Sequence, residues 1–137
     1  MSEIKVDTLT GKTSAGDITV TSEGGAATMQ LQQGLAKVWV NFTGITTTAS
    51  RDSFNVSSLT DDATARTTIA ISSSMSNGNY SGSYFQNGAA LGDATNFNND
   101  YAGNFAPRAT GSYSVYSYGT VAADAFYNDS VVVGDLA

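Results

Sequence analysis

The chain has 137 residues, of which 41% are hydrophobic and only 13% charged, with a net charge of −6 and neither Cys nor His. That length suits one domain with at most a short appendage. The missing Cys and His exclude disulfides, thiolate chemistry, Cys-type zinc sites, and the commonest general base and metal ligand.

The six basic residues, Lys5, Lys12, Lys37, Arg51, Arg66 and Arg108, are scattered among twelve acidic ones. No cation cluster is available to neutralise phosphates, so nucleic acid is not an expected partner. Ser, Thr and Asn take the place of the missing charges; they bond readily to backbone outside helices, and Thr favours strands. With 14 Gly and one Pro, Pro107, the turns depend on glycine's freedom more than on proline. Seven Tyr and six Phe supply bulk for sheet faces. No apolar run approaches the ~20 residues of a membrane span, so no membrane insertion is expected. The opening MSEIKVDTLTG lacks a basic region followed by an apolar core, so the expectation is synthesis in a cytoplasm without a secretion signal.

In chain order, residues 1–25 read as an extended tether. Ile4, Val6, Ile18 and Val20 alternate with polar residues around a TGKTSAG turn, too few apolar groups for a core of their own. Residues 26–36, AATMQLQQGLA, are predicted as a short helix after the Gly24-Gly25 break, with Thr28 as N-cap and Leu31 and Leu35 on one face. About three turns are marginal alone. Two readings stay open: the stripe packs on its own sheet, or it joins the same helix of other subunits.

From Lys37 onward the pattern is β. KVWVNFT (37–43) places Val38, Val40 and Phe42 on one side and Trp39 and Asn41 on the other; DSFNVSS (52–58), RTTIAISS (66–73), NYSGSYFQ (79–86), GSYSVYSYG (111–119) and Val131 to Val133 follow, separated by polar turns. Short strands at such spacing predict an all-β sandwich or barrel. Residues 87–110 read as a long Asn-rich loop pinned by Phe97, Tyr101 and Phe105.

Residues that could carry chemistry are few. Asp61-Asp62 and Asn98-Asn99-Asp100 could offer oxygens to Ca²⁺, but neither matches an EF-hand loop and solvated turns are the favoured reading. No spacing singles out a carboxylate pair for glycoside hydrolysis among ten Asp and two Glu. Serine catalysis lacks a base. Tyr113, Tyr116 and Tyr118 could form a sugar-stacking surface, although packing across strands or between subunits is the simpler account. No enzyme activity, cofactor or metal is therefore expected.

The blocks GLAKVWVNFTG, SRDSFNVSSLTDDATAR and AFYNDSVVVGDL together resemble a fibre-tip module of marine and cyanobacterial phages. In that module G-L-A-K-(A/V)-W-V-N-F is followed by R-D-S-(F/Y)-N-V-S-S-(I/L)-T-D-x-G, an alternating strand and a closing V-x-V-x-G-D. The matching positions here are Gly34 to Phe42, Arg51 to Asp61 and Val131 to Asp135, and the resemblance spans most of residues 30–137; the leader KVDTLTGKTSAGDITV also looks like leaders that precede the module. Asp62 stands where a turn Gly is usual, residues 87–110 have no counterpart, and the chain is shorter than a typical fibre.

The resemblance implies a virion structural protein, usually homotrimeric, with no catalytic residues. The expected architecture is then a docking tether (1–25), a trimerising helix (26–36) and a jelly-roll-like β-sandwich head (37–137). Leu31, Leu35, Val38 and Trp39 are the expected trimer contacts, because Trp39 opposite Val38 gives that strand apolar groups on both faces. An Arg51-Asp52 ion pair could lie near the trimer axis. Phe97, Asn98, Asn99, Asp100 and Tyr101 are the expected receptor contact. The functional expectation is a tail-fibre-like appendage on the outside of the phage particle. It would bind tail or capsid proteins through its N-terminal segment and a host surface glycan or protein through its head. The alternatives are a capsid decoration protein and a small glycan-binding or glycan-cleaving module.

Overall fold

The computed structural model describes residues 3–12, 18–25, 27–87, 104–116 and 124–137, without the side chains of Asn87, Asn104 and Ala106. They form two units, Met1–Leu35 and Ala36–Ala137. All regular structure among the described residues is β. No helix occurs among the described residues, which overturns the helix expected over 26–36.

In the first unit, β1 (Thr19–Thr21) pairs antiparallel with β2 (Thr28–Gln30), Val20 opposite Met29. The glycines expected to break the strand ahead of a helix close this hairpin instead. Gly25 takes a positive φ of 70°, Gly25 N–H donates to Ser22 O, and Ser22 N–H donates to Ala27 O. A three-turn helix with a narrow apolar stripe gains little in isolation. In the fold, Thr28, Met29 and Gln30 are taken up by the ladder with β1, and the chain turns at 31–34, where Gly34 N–H donates to Leu31 O.

The described residues of the second unit hold eight strands: β3 (Ala36–Thr43), β4 (Ala49–Phe54), β5 (Val56–Ala63), β6 (Arg66–Ile71), β7 (Ser81–Asn87), β8 (Asn104–Ala109), β9 (Ser112–Tyr116) and β10 (Tyr127–Val133). They make two antiparallel four-stranded sheets, ordered β4-β3-β10-β7 and β5-β6-β9-β8. Strict alternation sends Val38, Val40, Phe42, Val132 and Tyr84 of the first sheet, and Ile69, Ile71, Tyr113 and Val115 of the second, into one shared apolar cluster. The jelly-roll expectation is not met. Jelly-roll winding moves successive strands from one layer to the other, whereas β3-β4, β5-β6 and β8-β9 are each neighbours within one sheet.

One flank is closed by aromatic packing. Phe105 of β8 stacks on Tyr113 with ring centres 4.6 Å apart, meets Tyr80 edge-on, and covers Gly82 of β7 so closely that a Cβ there would lie 2.5 Å from the ring. Pro107 sits on the outermost strand, where its missing N–H costs no ladder bond and the β8-β9 register shifts. Registers also shift between β3 and β4 and at two places between β5 and β6.

At the other flank the chain crosses between sheets in one residue. Asn55 links β4 to β5 with φ of 59°, a left-handed conformation that Asn tolerates better than most side chains. Its Nδ2 donates to Lys37 O (3.0 Å) and Ser73 O (3.1 Å), its Oδ1 accepts from Ser73 N–H (2.7 Å), and its carbonyl accepts from Ser72 N–H. Asn55→Ala loses the three side-chain bonds and leaves a residue ill-suited to positive φ, so stability is expected to fall by about 2–4 kcal/mol. Asn55→Gly, which keeps the backbone freedom, is expected to lose less; urea unfolding of the two variants checks the order.

Tyr113, Ser130 and Asn128, all buried, are paired. The Tyr113 hydroxyl bonds Ser130 Oγ (2.7 Å), and Asn128 reaches Tyr84, Phe42 O and Ala125 O. Burial pushes the Tyr113 phenol up to about 12, only partly offset by the Ser130 bond. The folded state thus keeps the phenol neutral where an unfolded chain would ionise it. This stabilisation is complete below pH 10 and is lost between pH 10 and 12, a fall of roughly 2–3 kcal/mol. Unfolding midpoints measured across that window should drop steeply for the parent and much less for Tyr113→Phe.

Candidate functional site

Alternation that fills the core with one set of side chains sets the other set on the outer faces, and the two outer faces differ. On the second sheet the outward groups are polar: Thr68 hydroxyl bonds Ser114 Oγ and Asp62, while Arg66 pairs with Asp62 at 3.3 Å and lies over the Tyr116 ring. On the first sheet the ladder aligns Phe54, Trp39, Val131 and Ser83 in one row and Asp52, Asn41, Asp129 and Phe85 in the next. Trp39, Phe54, Phe85, Tyr127, Val131 and Val133 are each 36–66% exposed. This open apolar face is the candidate interaction surface of the second unit.

The polar row is built around Arg51. The register shift between β3 and β4 falls at Arg51, the extra residue facing Phe42, and bulges of this kind re-aim a side chain. The guanidinium packs on Phe126 and Tyr127, 4.7 and 4.5 Å from their ring centres, and donates to Phe126 O (2.6 Å) and Phe42 O (3.0 Å). Asn41 Oδ1 accepts from Arg51, and Asn41 Nδ2 donates to Asp129 (2.6 Å). The Arg51-Asp52 ion pair expected from sequence does not form. Arg51 is spent on carbonyls and rings, and Asp52 accepts from Ser53 N–H instead.

The other expected contacts separate. Val38 is fully buried in the chain's own core, so it cannot touch another subunit; its place on the inward side of β3 is the reason. Trp39, one residue on, lies outward as expected. Leu31 is half-buried and Leu35 exposed, both in the first unit. Tyr113 is core and Tyr116 lies beneath Arg66, while Tyr118 is outside the described residues. Phe97, Asn98, Asn99, Asp100 and Tyr101 also lie outside them.

Lys37 is a buried lysine beside the β3-β10 irregularity. Burial holds its amine below the usual lysine range, and the Asp135 carboxylate pulls the other way. Between β4 and β5 runs a groove of about 330 Å³ lined by hydroxyls of Thr48, Ser50, Ser53, Ser57 and Ser58, with Val56 and Leu59 among them and no ionisable group. Among the described residues no three acidic side chains are placed to hold a metal ion.

Phe54, Phe85, Val131, Val133 and the Arg51 stack were not singled out from sequence. The signal was present: FYNDSVVV carries apolar residues on both parities, and only one parity can face the core. Comparison with family models, curated proteins and solved structures returned no match.

Arg51→Lys keeps the charge but cannot stack as a plane or bond two carbonyls at once. A loss of about 1–2 kcal/mol is expected, read as a lower urea midpoint with unchanged slope.

Proposed function

We propose that this protein is a non-enzymatic structural component of a phage particle: a homotrimeric, tail-fibre-like appendage on the particle's exterior. Its first unit docks on tail or capsid proteins, and its β-sandwich head contributes to attachment at a host surface glycan or protein. Three weak contacts made together gain by effective concentration.

The observation that carries this reading is the first unit. Among its described residues one hairpin pairs three residues a side, and Ile4, Val6, Leu9, Val20, Met29 and Leu35 are all exposed. A lone two-stranded hairpin is marginally stable in water. A segment of this kind gains order from what it lies against, as a docking tether does. The motif blocks that resemble fibre tips support the same reading, because their polar residues Asn41, Arg51, Asn55 and Asn128 are spent on holding the fold. The open tether also suits a capsid decoration protein lying across a neighbouring shell subunit, which is the second reading.

Sedimentation equilibrium on the full chain is expected to give three times the 14.1 kDa chain mass; a stable monomer at micromolar concentration overturns the homotrimer. Antibody labelling of intact particles is expected to mark the tail in tens of copies. Hundreds of copies on the shell would select the decoration reading, and no label on either would remove both.

A further inference from the structure

We propose that copies of this chain meet through the outer face of the β4-β3-β10-β7 sheet, with Trp39, Phe54 and Val131 at the centre of the contact. The proposal rests on the homo-oligomer reading above and names its surface.

The first argument is area. Trp39, Phe54, Phe85, Tyr127, Val131 and Val133 are exposed on one sheet. Taking 150–250 Å² for a whole aromatic side chain, they expose on the order of 500 Å² of apolar surface. That lies in the upper part of the roughly 300–600 Å² spanned by the largest patch on a typical monomer, a size at which such patches are often functional. It also supplies more than half of the roughly 800 Å² per partner that a stable interface needs. The patch is contiguous: Trp39 stands directly opposite both Phe54 and Val131, and Phe85 and Val133 lie diagonal to that row, within reach of aromatic side chains.

The second argument is charge. Each copy carries a net charge of −6, so two copies approach best through a surface that sets no carboxylate against another. The row of Phe54, Trp39, Val131 and Ser83 is uncharged. The carboxylates of this face, Asp52 and Asp129, stand in the neighbouring row beside the Arg51 cation, so the rim holds both signs, and copies gathered about an axis through the apolar row can set opposite charges side by side. The outward side of the second sheet is polar instead, with the hydroxyls of Thr68 and Ser114 and an Arg66-Asp62 ion pair lying over the Tyr116 ring. A sugar is a poorer occupant of the first face, because its central row offers rings and methyls but few groups to bond hydroxyls.

The test places a carboxylate in the patch. Phe85→Glu lies on an edge strand with its side chain largely exposed and leaves the core untouched; Val131→Glu strikes the centre. With far-UV circular dichroism and cooperative melting retained, either variant is expected to raise the dissociation constant of the oligomer at least tenfold, leaving monomer at concentrations where the parent is assembled. An assembled parent with both folded variants equally assembled overturns this surface but leaves the homo-oligomer standing. A parent that is itself monomeric overturns the homo-oligomer, and this surface with it. Should Val131→Glu not fold, Phe85→Glu alone decides, by the same criterion.

Discussion

Asn55 carries the chain from one sheet to the other in a single residue, and the two-sheet domain depends on that corner. A one-residue link leaves no slack: Phe54 must end the first sheet on its outward side while Val56 begins the second on its inward side. Only a left-handed backbone turns sharply enough, and among non-glycine residues Asn and Asp accept it most readily. The side chain then bonds Lys37 O in the first sheet and Ser73 just past the last strand residue of β6. Backbone conformation and hydrogen bonding thus fix the same geometry at this corner.

The remaining polar residues of the motif blocks act in a similar way at other seams. Asn128 ties β10 to β3, to β7 and to the segment before it. Arg51 joins β4 to the start of β10 by lying across two rings and two carbonyls. Tyr80 anchors the β8-β9 turn, its hydroxyl between the carbonyls of Ala109 and Ser112. A core of modest size, in which Val and Ile outnumber the few aromatics, gains definition from such satisfied polar joints. This explains why a chain with few charges places so many Asn, Ser and Tyr in specific positions.

Much of the fold was legible because period-two alternation has a single physical cause. Val38, Val40 and Phe42, and likewise Ile69 and Ile71, must share a face wherever their strands lie. The first unit was misread because Leu31 and Leu35 at a spacing of four fit a helix locally. What decided the outcome was the Gly24-Gly25 turn, which lets Thr28 to Gln30 fold back on Thr19 to Thr21. Strand order was out of reach, since it depends on which edges meet after the Asn55 crossing, and nothing local records that. Half of the surface was visible in advance: Trp39 stood out as apolar on the wrong parity, whereas Phe54 and Phe85 looked like ordinary strand residues until the ladders set them beside it.

The interrupted ladders have one more consequence. A two-layer β domain has four free edges, and an unbroken edge invites another molecule to add its own strand. Here three of the four boundary strands are irregular: β4 through its extra residue, β5 through two offsets, and β8 through Pro107 and the break beside it. Growth by lateral strand addition is therefore blocked along most of the perimeter. The open apolar side of the first sheet is thus bordered by edges that resist the strand-by-strand extension from which fibrils grow.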